Sequence, residues 1–213
     1  MDSYALHVLS GPSTLGNVLG LYRVRGRFPG SRYVLVSKNV FPAPHVSGAK
    51  FDLKGSTVGR LAGASSAVAK DLNILQSGKQ LQLGAVGKAA VLEVLARDTE
   101  WLAKWRLMDY SLLVAVETAR DSPNSGRFSS GGQGMVGCQM STAAGDGGKL
   151  VLLSPASSLI FHMGIIDFLQ TYDCRKLLEH FFKSLYCDGK RISCVAPKYY
   201  AKRMLEFIAG ITA

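Results

Sequence analysis

The sequence predicts an α+β fold, an antiparallel sheet plus helices. Three observations support this prediction: β-rich runs dominate the first half, one long amphipathic helix follows them, and further helical segments close the chain. A length of 213 residues with 47% hydrophobic residues allows a buried core and excludes general disorder. We therefore expect one domain or two small ones.

The predicted sheet begins with a hairpin. Residues 18–24 and 32–37 are rich in β-forming residues, and Pro29-Gly30 between them marks a turn. Residues 49–53 are predicted to form a further short strand. The strongest helical pattern spans Lys88 to Leu107, where apolar side chains recur at helical spacing. The remaining predictions are strands at 111–116 and 150–153, ordered structure over 162–169 with an apolar strand that ends at Asp167, and helices at 174–186 and 197–208.

Residues 118–149 differ in composition from the rest of the chain. They are crowded with glycine and serine, which predicts a flexible insertion or linker. A G-x-G-x-x-G pattern at 132–137 lies inside this segment, with no strand before it and no helix after it. Because that pattern indicates phosphate binding only between a strand and a helix, we assign it no function.

Several classes of protein are excluded. No apolar run approaches the roughly 18–20 residues that a membrane-spanning helix needs. The first residues lack the features of a secretory signal, and the four cysteines lack paired spacing, so we expect reduced thiols in a cytosolic protein. The chain has no P-loop, and its four histidines are too scattered for a zinc site.

The net charge of +10 is concentrated at the two ends of the chain. Residues 1–60 hold eight basic and two acidic side chains, and residues 175–213 hold eight basic and three acidic. Two basic ends indicate an anionic partner, which could be nucleic acid, a membrane surface or a phosphorylated ligand. A solvated basic face that only maintains solubility is the alternative.

Three short segments carry residues suited to phosphoryl transfer. Lys54 ends a strand and is followed by Gly55-Ser56, a sequence that can approach an anion but is also an ordinary polar turn. Asp109 follows the long helix and could accept a proton from a substrate hydroxyl, or simply cap the turn. Asp167 ends an apolar strand, where a carboxylate can hold Mg²⁺. Their order indicates a phosphate clamp, a hydroxyl-orienting residue and a metal ligand.

Residues 52–56, 108–113 and 165–167 together strongly resemble the phosphatidylinositol phosphate kinases, most closely the phosphatidylinositol 4-phosphate 5-kinase branch. The resemblance runs from about residue 14 to 208, interrupted by 118–149. It implies a protein-kinase-like two-lobed lipid kinase fold with the start of the N-lobe missing. It also implies that the protein uses ATP and Mg²⁺ to phosphorylate an inositol hydroxyl of a membrane lipid.

The resemblance assigns roles to individual residues. Asp109 would be the catalytic aspartate, Asp167 the Mg²⁺ ligand, and Lys54 a catalytic residue that approaches the nucleotide phosphates. The segment that matches the family's hinge would border adenine and includes Val36, Lys38 and Asn39.

The resemblance also identifies residues 187–203 as a specificity loop that contacts membranes and selects the lipid. Its cations are Lys190, Arg191, Lys198, Lys202 and Arg203. The implied partner is a phosphoinositide in an anionic membrane, reached from the cytoplasm, with the plasma membrane as the expected location. No motif supports nucleic-acid binding, and the oligomeric state is not predicted.

The sequence departs from the family pattern before the hinge. The family's glycine-rich loop, strand lysine and acidic helix partner lie upstream of the hinge, whereas Lys38 is the first lysine of this chain. Lys202 stands where the family usually has Glu or Ala, which leaves lipid preference open. Three interpretations therefore remain: a lipid kinase, a non-catalytic lipid-binding relative, and a fragment of a longer active enzyme.

Overall fold

A computed structural model of the chain describes residues 2–26, 32–41, 48–118, 150–154, 158–172 and 195–213. Several sequence predictions lie outside the described residues. They are the hairpin turn, nearly all of the insertion, the helix at 174–186, and the cations Lys190 and Arg191. Within the described residues the elements follow each other as α1 (Asp2–Leu9), β1 (Val18–Val24), β2 (Arg32–Ser37), β3 (Ala49–Leu53), β4 (Ala69–Lys70), α2 (Asp71–Ser77), α3 (Gly84–Lys104), β5 (Ser111–Thr118), β6 (Leu150–Ser154), β7 (Leu159–Ile166) and α4 (Pro197–Ile211).

The strands form two sheets. β1 and β2 pair as an antiparallel hairpin, and a five-stranded sheet has the order β4-β3-β5-β7-β6. Only the short β3–β4 pair is parallel among these described strands, and the other pairs are antiparallel. The architecture confirms the predicted α+β class.

The core lies between one face of the five-stranded sheet and the two long helices. Alternate residues of β5 and β7 point to this face, because successive side chains of a strand point in opposite directions. α3 and α4 pack against each other and supply apolar side chains to the same cluster. Its members include Leu112, Val114, Phe161 and Met163 from the sheet, Val91, Leu95 and Leu102 from α3, and Met204 and Ile208 from α4.

Element bounds agree with the predictions or lie close to them. The last apolar strand spans 159–166 and ends directly before Asp167, as the sequence predicts, because Asp167 adopts a left-handed backbone conformation with φ of 59° that a strand cannot continue through. The long helix begins and ends slightly earlier than predicted, at Gly84 and Lys104. Residues 195–203 of the predicted specificity loop are described, and from Pro197 onward they form the first turns of α4. None of the described helices is both long and apolar enough to cross a bilayer.

The hairpin of β1 and β2 has a more exposed surface than the larger sheet. Most of its apolar side chains remain exposed, on both faces of the pair. A two-stranded hairpin gains little stability by itself, so its position depends on the contacts at its base. There, the Lys38 N–H donates a 2.8 Å hydrogen bond to the Asn17 carbonyl.

A buried carboxylate on α3 attaches the N-terminal segment to the core. Asp98 is fully buried, and its Oδ1 lies 2.7 Å from His7 Nε2 and accepts a hydrogen bond from Ser13 Oγ at 2.9 Å. Its Oδ2 accepts hydrogen bonds from the Thr14 amide and, at 2.7 Å, from the Thr14 hydroxyl. These contacts hold α1, which the sequence pattern did not predict, against α3.

Replacing Asp98 with alanine should detach this N-terminal segment. The Asp98→Ala variant leaves Thr14 donors unsatisfied in a buried site, so we expect the free energy of unfolding to fall by about 3–5 kcal/mol. Urea denaturation measures the loss, and hydrogen exchange should accelerate across residues 2–17. The exposed Glu93 on the same helix provides the control, since Glu93→Ala should change stability by less than about 0.5 kcal/mol. Equal losses in both variants would contradict the assigned anchor.

Candidate active site

Three strand ends meet at one edge of the five-stranded sheet. β5 lies between β3 and β7 and runs antiparallel to both, so its start lies beside the C-terminal ends of its two neighbours. Lys54 directly follows β3, Asp109 precedes β5 by two residues, and Asp167 directly follows β7. Neighbouring strands are about 4.8 Å apart, so strand pairing gathers all three predicted site residues at this edge.

Lys54 and Asp109 form an ion pair at this edge. The Lys54 Nζ donates hydrogen bonds to the Asp109 carbonyl at 2.6 Å and to the Asp109 Oδ1 at 2.9 Å. The Lys54 side chain is 17% exposed and that of Asp109 is 28% exposed. The pair therefore has a fixed geometry but remains accessible from solvent. A lysine ammonium has three N–H donors, so the pair can still accommodate a further anionic or hydroxyl ligand.

Both candidate aspartates adopt a left-handed backbone conformation. The φ angles are 63° at Asp109 and 59° at Asp167. Aspartate tolerates this region better than most residues, but a surrounding structure must still hold it there. Backbone hydrogen bonds supply that support: the Met108 N–H donates to the Gln170 carbonyl at 3.0 Å, and the Tyr172 N–H donates to the Arg106 carbonyl at 2.8 Å. The chain before Asp109 is thereby joined to the chain after Asp167.

The loop after Lys54 binds an internal carboxylate. The amides of Lys54, Gly55 and Ser56 donate to Asp71 Oδ1 at 2.9, 2.7 and 3.3 Å. Arg60 Nε donates to Asp71 Oδ2 at 2.7 Å. These amides and Arg60 Nε are therefore not available to an external anion, because the buried Asp71 already accepts their hydrogen bonds. Only the ammonium of Lys54 points toward the candidate catalytic residue.

Arg60 is a structural cation that joins the two ends of this loop. It donates to Asp71 and, through Nη2, to Asp52 Oδ1 at 2.8 Å. Burial by itself would lower the pKa of Arg60, but the hydrogen bonds to Asp71 and Asp52 outweigh it and raise the pKa. The guanidinium therefore stays charged in the folded protein.

A cavity of about 650 Å³ opens beside Asp167, between the hairpin base and the end of β7. Its volume lies in the usual range for small-molecule and cofactor sites, roughly 300–1,000 Å³. Apolar side chains from both sides form its walls, with polar groups at the hairpin base. The lining residues are Gly16, Leu35, Ser37, Lys38, Asn39, Val40, Leu113, Ile165, Ile166, Asp167, Phe168, Leu169 and Gln170.

Gly164 lets the hairpin base approach the sheet closely enough to form this cavity. A Cβ atom at Gly164 would lie 2.8 Å from a methyl group of Val40, closer than side-chain contacts allow. Val40 is buried at this contact. The absence of a side chain at position 164 therefore sets the distance between the two walls.

The predicted hinge residues differ in their positions. Lys38 and Asn39 line the cavity together with Asp167. Val36 is not among the lining residues, and its side chain is 40% exposed in β2. Lys54 and Asp109 lie outside the cavity lining, at the neighbouring sheet edge. The structure gives the positions of these residues relative to the cavity and the sheet edge. The roles assigned to them remain predictions.

The described cations of the predicted specificity loop fall into two groups. Lys198 and Lys202 are exposed on α4, and Lys202 Nζ lies 3.7 Å from Glu206 Oε1. Arg203 instead packs over the Tyr200 ring, with its Cζ 5.1 Å from the ring centroid, and burial lowers the pKa of its guanidinium. Arg203 is therefore half-buried against Tyr200, unlike the exposed Lys198 and Lys202.

The residues at the cavity fit a magnesium ion that is bound together with a nucleotide. Asp167 presents an exposed carboxylate at the cavity. Across the described segments, no group of three or more His, Cys, Asp or Glu residues could hold a metal ion by itself. Mg²⁺ needs only one or two protein carboxylates when phosphate oxygens and water supply the other ligands. The donor set therefore suits a Mg²⁺ ion whose ligands would come from both the protein and a nucleotide.

Neutralising Asp71 should destabilise the loop that carries Lys54. In Asp71→Asn the Arg60 guanidinium loses its buried countercharge. The substituted side chain also carries an NH₂ group, which would face N–H donors where the carboxylate oxygen had accepted their hydrogen bonds. We expect the free energy of unfolding to fall by about 3–5 kcal/mol. Urea denaturation followed by circular dichroism measures this, with the exposed Asp2→Asn as the control. A loss below about 1 kcal/mol would contradict the structural role of Asp71.

Comparison with known proteins gives a consistent result along nearly the whole chain. A family model described as phosphatidylinositol-4-phosphate 5-kinase matches residues 1–211. Phosphatidylinositol 5-phosphate 4-kinase type-2 gamma of Mus musculus is 31% identical over 245 aligned residues, which cover 95% of this chain and 58% of that protein. Phosphatidylinositol 4-phosphate 5-kinase type-1 beta of Gallus gallus is 30% identical over 241 residues, which cover 98% of this chain and 44% of that protein.

The chain thus spans roughly half the length of these relatives. The two kinds of kinase are almost equally similar to it, so the placement in the 4-phosphate 5-kinase branch stays a prediction. The match over residues 1–211 confirms the resemblance seen in the sequence. The chain belongs to the phosphatidylinositol-4-phosphate 5-kinase family of phosphatidylinositol phosphate kinases.

Proposed function

We propose that this chain transfers the γ-phosphate of ATP to an inositol hydroxyl of a phosphatidylinositol phosphate, with phosphatidylinositol 4-phosphate as the acceptor. One observation carries the proposal: Lys54, Asp109 and Asp167 lie at one sheet edge, beside a cavity of nucleotide size. Membership of the kinase family supports the same reaction class. Phosphoryl transfer requires chiefly positioning and charge stabilisation, which such an arrangement can provide.

The cavity is suited to the base and sugar of a nucleotide. Leu35 and Val40 form an apolar wall on the hairpin side, and Leu113 and Ile165 form one on the sheet side. A flat aromatic ring between such walls removes apolar surface from water. Polar groups at the hairpin base, near Asn39, would supply the hydrogen bonds that orient the base.

The Lys54–Asp109 pair is suited to the acceptor hydroxyl. Asp109 keeps solvent access and can accept a hydrogen bond from that hydroxyl, orienting its oxygen toward the phosphate. The Lys54 ammonium holds the carboxylate in place and adds positive charge next to the phosphates. Asp167 would hold Mg²⁺, which neutralises charge on the phosphate oxygens.

Neutralising Asp167 should abolish the reaction while leaving the fold intact, because its side chain is exposed. For Asp167→Asn we expect phosphate transfer to fall by about 100-fold or more, as for loss of a charge-stabilising group. Transfer of labelled phosphate from ATP to vesicle-borne phosphatidylinositol 4-phosphate measures the activity. The same assay with phosphatidylinositol 5-phosphate tests the acceptor. The Asp2→Asn variant should retain full activity, and an equally active Asp167→Asn would overturn the metal assignment.

Membrane binding is proposed for the exposed cations of α4. Lys198 and Lys202 project from the helix, and the adjoining sequence carries Lys190 and Arg191. Each basic residue near an anionic lipid surface contributes about 1 kcal/mol to adsorption. We therefore place the protein peripherally on the cytosolic face of membranes, with the plasma membrane as the expected site.

A double variant tests this contact without disturbing the interior. Lys198→Ala/Lys202→Ala should weaken binding to vesicles containing anionic lipid by about 2 kcal/mol, or roughly 30-fold. Arg203 is left unchanged because it packs on Tyr200. Arg23→Ala/Arg25→Ala removes two exposed cations of the hairpin region and serves as the control in the same co-sedimentation assay. Equal weakening by both double variants would contradict a specific contact at α4.

A second candidate function is lipid binding without phosphate transfer. Among the described residues that line the cavity, Lys38 is the only cation, and Lys54 lies outside the lining. Fewer cations at the phosphates would weaken nucleotide binding. Vesicle binding by the unmodified chain with no detectable transfer would favour this function over the kinase reaction.

A further inference from the structure

Tyr200 connects α4 to the turn that holds Asp109. It lies in the first turn of α4 and is fully buried. Its hydroxyl donates a short hydrogen bond to the Tyr110 carbonyl. The two tyrosine rings also meet edge to face, with centroids 4.7 Å apart and an interplanar angle of 69°. Tyr200 therefore contacts the residue next to Asp109 through both its ring and its hydroxyl.

The contacted carbonyl lies where backbone support is most needed. Asp109 has a φ of 63°, and its own carbonyl accepts a 2.6 Å hydrogen bond from Lys54 Nζ. The next carbonyl along the chain is the one that Tyr200 binds. Two consecutive carbonyls are thus held by side chains, one from the loop after β3 and one from α4. This fixes the direction in which the chain leaves the left-handed residue.

The same helix supports the other half of the ion pair. Gly55, directly after Lys54, has a φ of 64° and lies against the α4 backbone. A Cβ atom at Gly55 would be 3.0 Å from Met204 Cα and 3.1 Å from the Arg203 carbonyl oxygen. α4 therefore contacts the Lys54 loop at Gly55 and the Asp109 turn through Tyr200.

The Tyr200 hydroxyl remains a donor at every relevant pH. Burial, reinforced by the nearby Tyr110 and Asp109, raises the pKa of Tyr200 well above its usual value. The buried hydroxyl therefore stays protonated and can donate to the Tyr110 carbonyl.

We propose that Tyr200 is a positioning residue that sets the geometry of the Lys54–Asp109 pair through its hydrogen bond to the Tyr110 carbonyl. Its effect on catalysis rests on the proposed kinase function, whereas its effect on the ion pair does not. Tyr200 acts on the pair through the backbone directly after Asp109, where its hydroxyl binds the Tyr110 carbonyl. Loss of its hydroxyl should loosen the turn and release the Lys54 amine.

The experiment compares Tyr200→Phe with Tyr199→Phe. The first removes the buried hydroxyl and keeps the ring, and the second removes the hydroxyl of a neighbouring side chain that is 40% exposed. Brief acetylation of the intact chain followed by mass spectrometry measures the reactivity of each lysine. We expect Lys54 to react about fivefold faster in Tyr200→Phe, the change in opening that loss of one hydrogen bond produces. Lys54 should react at the unmodified rate in Tyr199→Phe.

Lys88 reports on global unfolding in the same sample, because its ammonium donates to the Thr212 carbonyl at 2.8 Å, after the C-terminal end of α4. An unchanged Lys54 acetylation rate would overturn the proposal, because the Tyr200 hydroxyl would then have no effect on the ion pair. An equal rise at Lys54 and Lys88 would also overturn it, because the hydroxyl would then stabilise only the fold as a whole. A selective rise at Lys54 supports it even if the unmodified chain transfers no phosphate. If the chain is active, Tyr200→Phe should lower kcat about tenfold or more with little change in the KM for ATP, as misplacement of a reacting group does.

Discussion

The candidate site depends on the pairing of β5 with both β3 and β7. Because β5 runs antiparallel to its two neighbours, its beginning lies beside both of their ends. Lys54, Asp109 and Asp167 come from segments far apart in the sequence and reach one sheet edge only through this register. A one-residue slip of β5 would exchange its core and cavity faces, moving Leu112 and Val114 out of the core. Core burial and site geometry are therefore specified by the same pairing.

Four aspartates of the described segments fall into two physical groups. Asp71 and Asp98 are fully buried, and donors from the chain surround their oxygens, so they hold loops and the N-terminal segment in place. Asp109 and Asp167 keep solvent access and lie in left-handed turns at strand ends. A carboxylate saturated by internal donors is unavailable for chemistry, whereas an accessible one can receive a substrate hydroxyl or a metal ion. Residue type alone does not separate these two groups.

Much of the architecture was predictable because local pattern and tertiary environment agree. The hairpin strands, β3 and the start of β5 follow from β-forming runs bounded by turn residues. The end of β7 directly before Asp167 was also predicted. The pattern missed α1, whose position depends on long-range bonds between Asp98 and the segment around Thr14. The role of Asp71 was missed because its donors lie 11 to 17 residues away.

The sequence by itself determined the fold class, the family and the identity of the three candidate site residues, because short motifs and residue periodicity are local properties. The tertiary structure decided which charged groups remain available. It assigned the amides after Lys54 and the Arg60 guanidinium to Asp71, and it moved Arg203 from the surface onto Tyr200. It also showed Tyr200 beneath the Asp109 turn, 90 residues away in the chain. Which buried polar groups hydrogen-bond to each other depends on their distance in space, and the spacing of residues along the sequence does not give that distance.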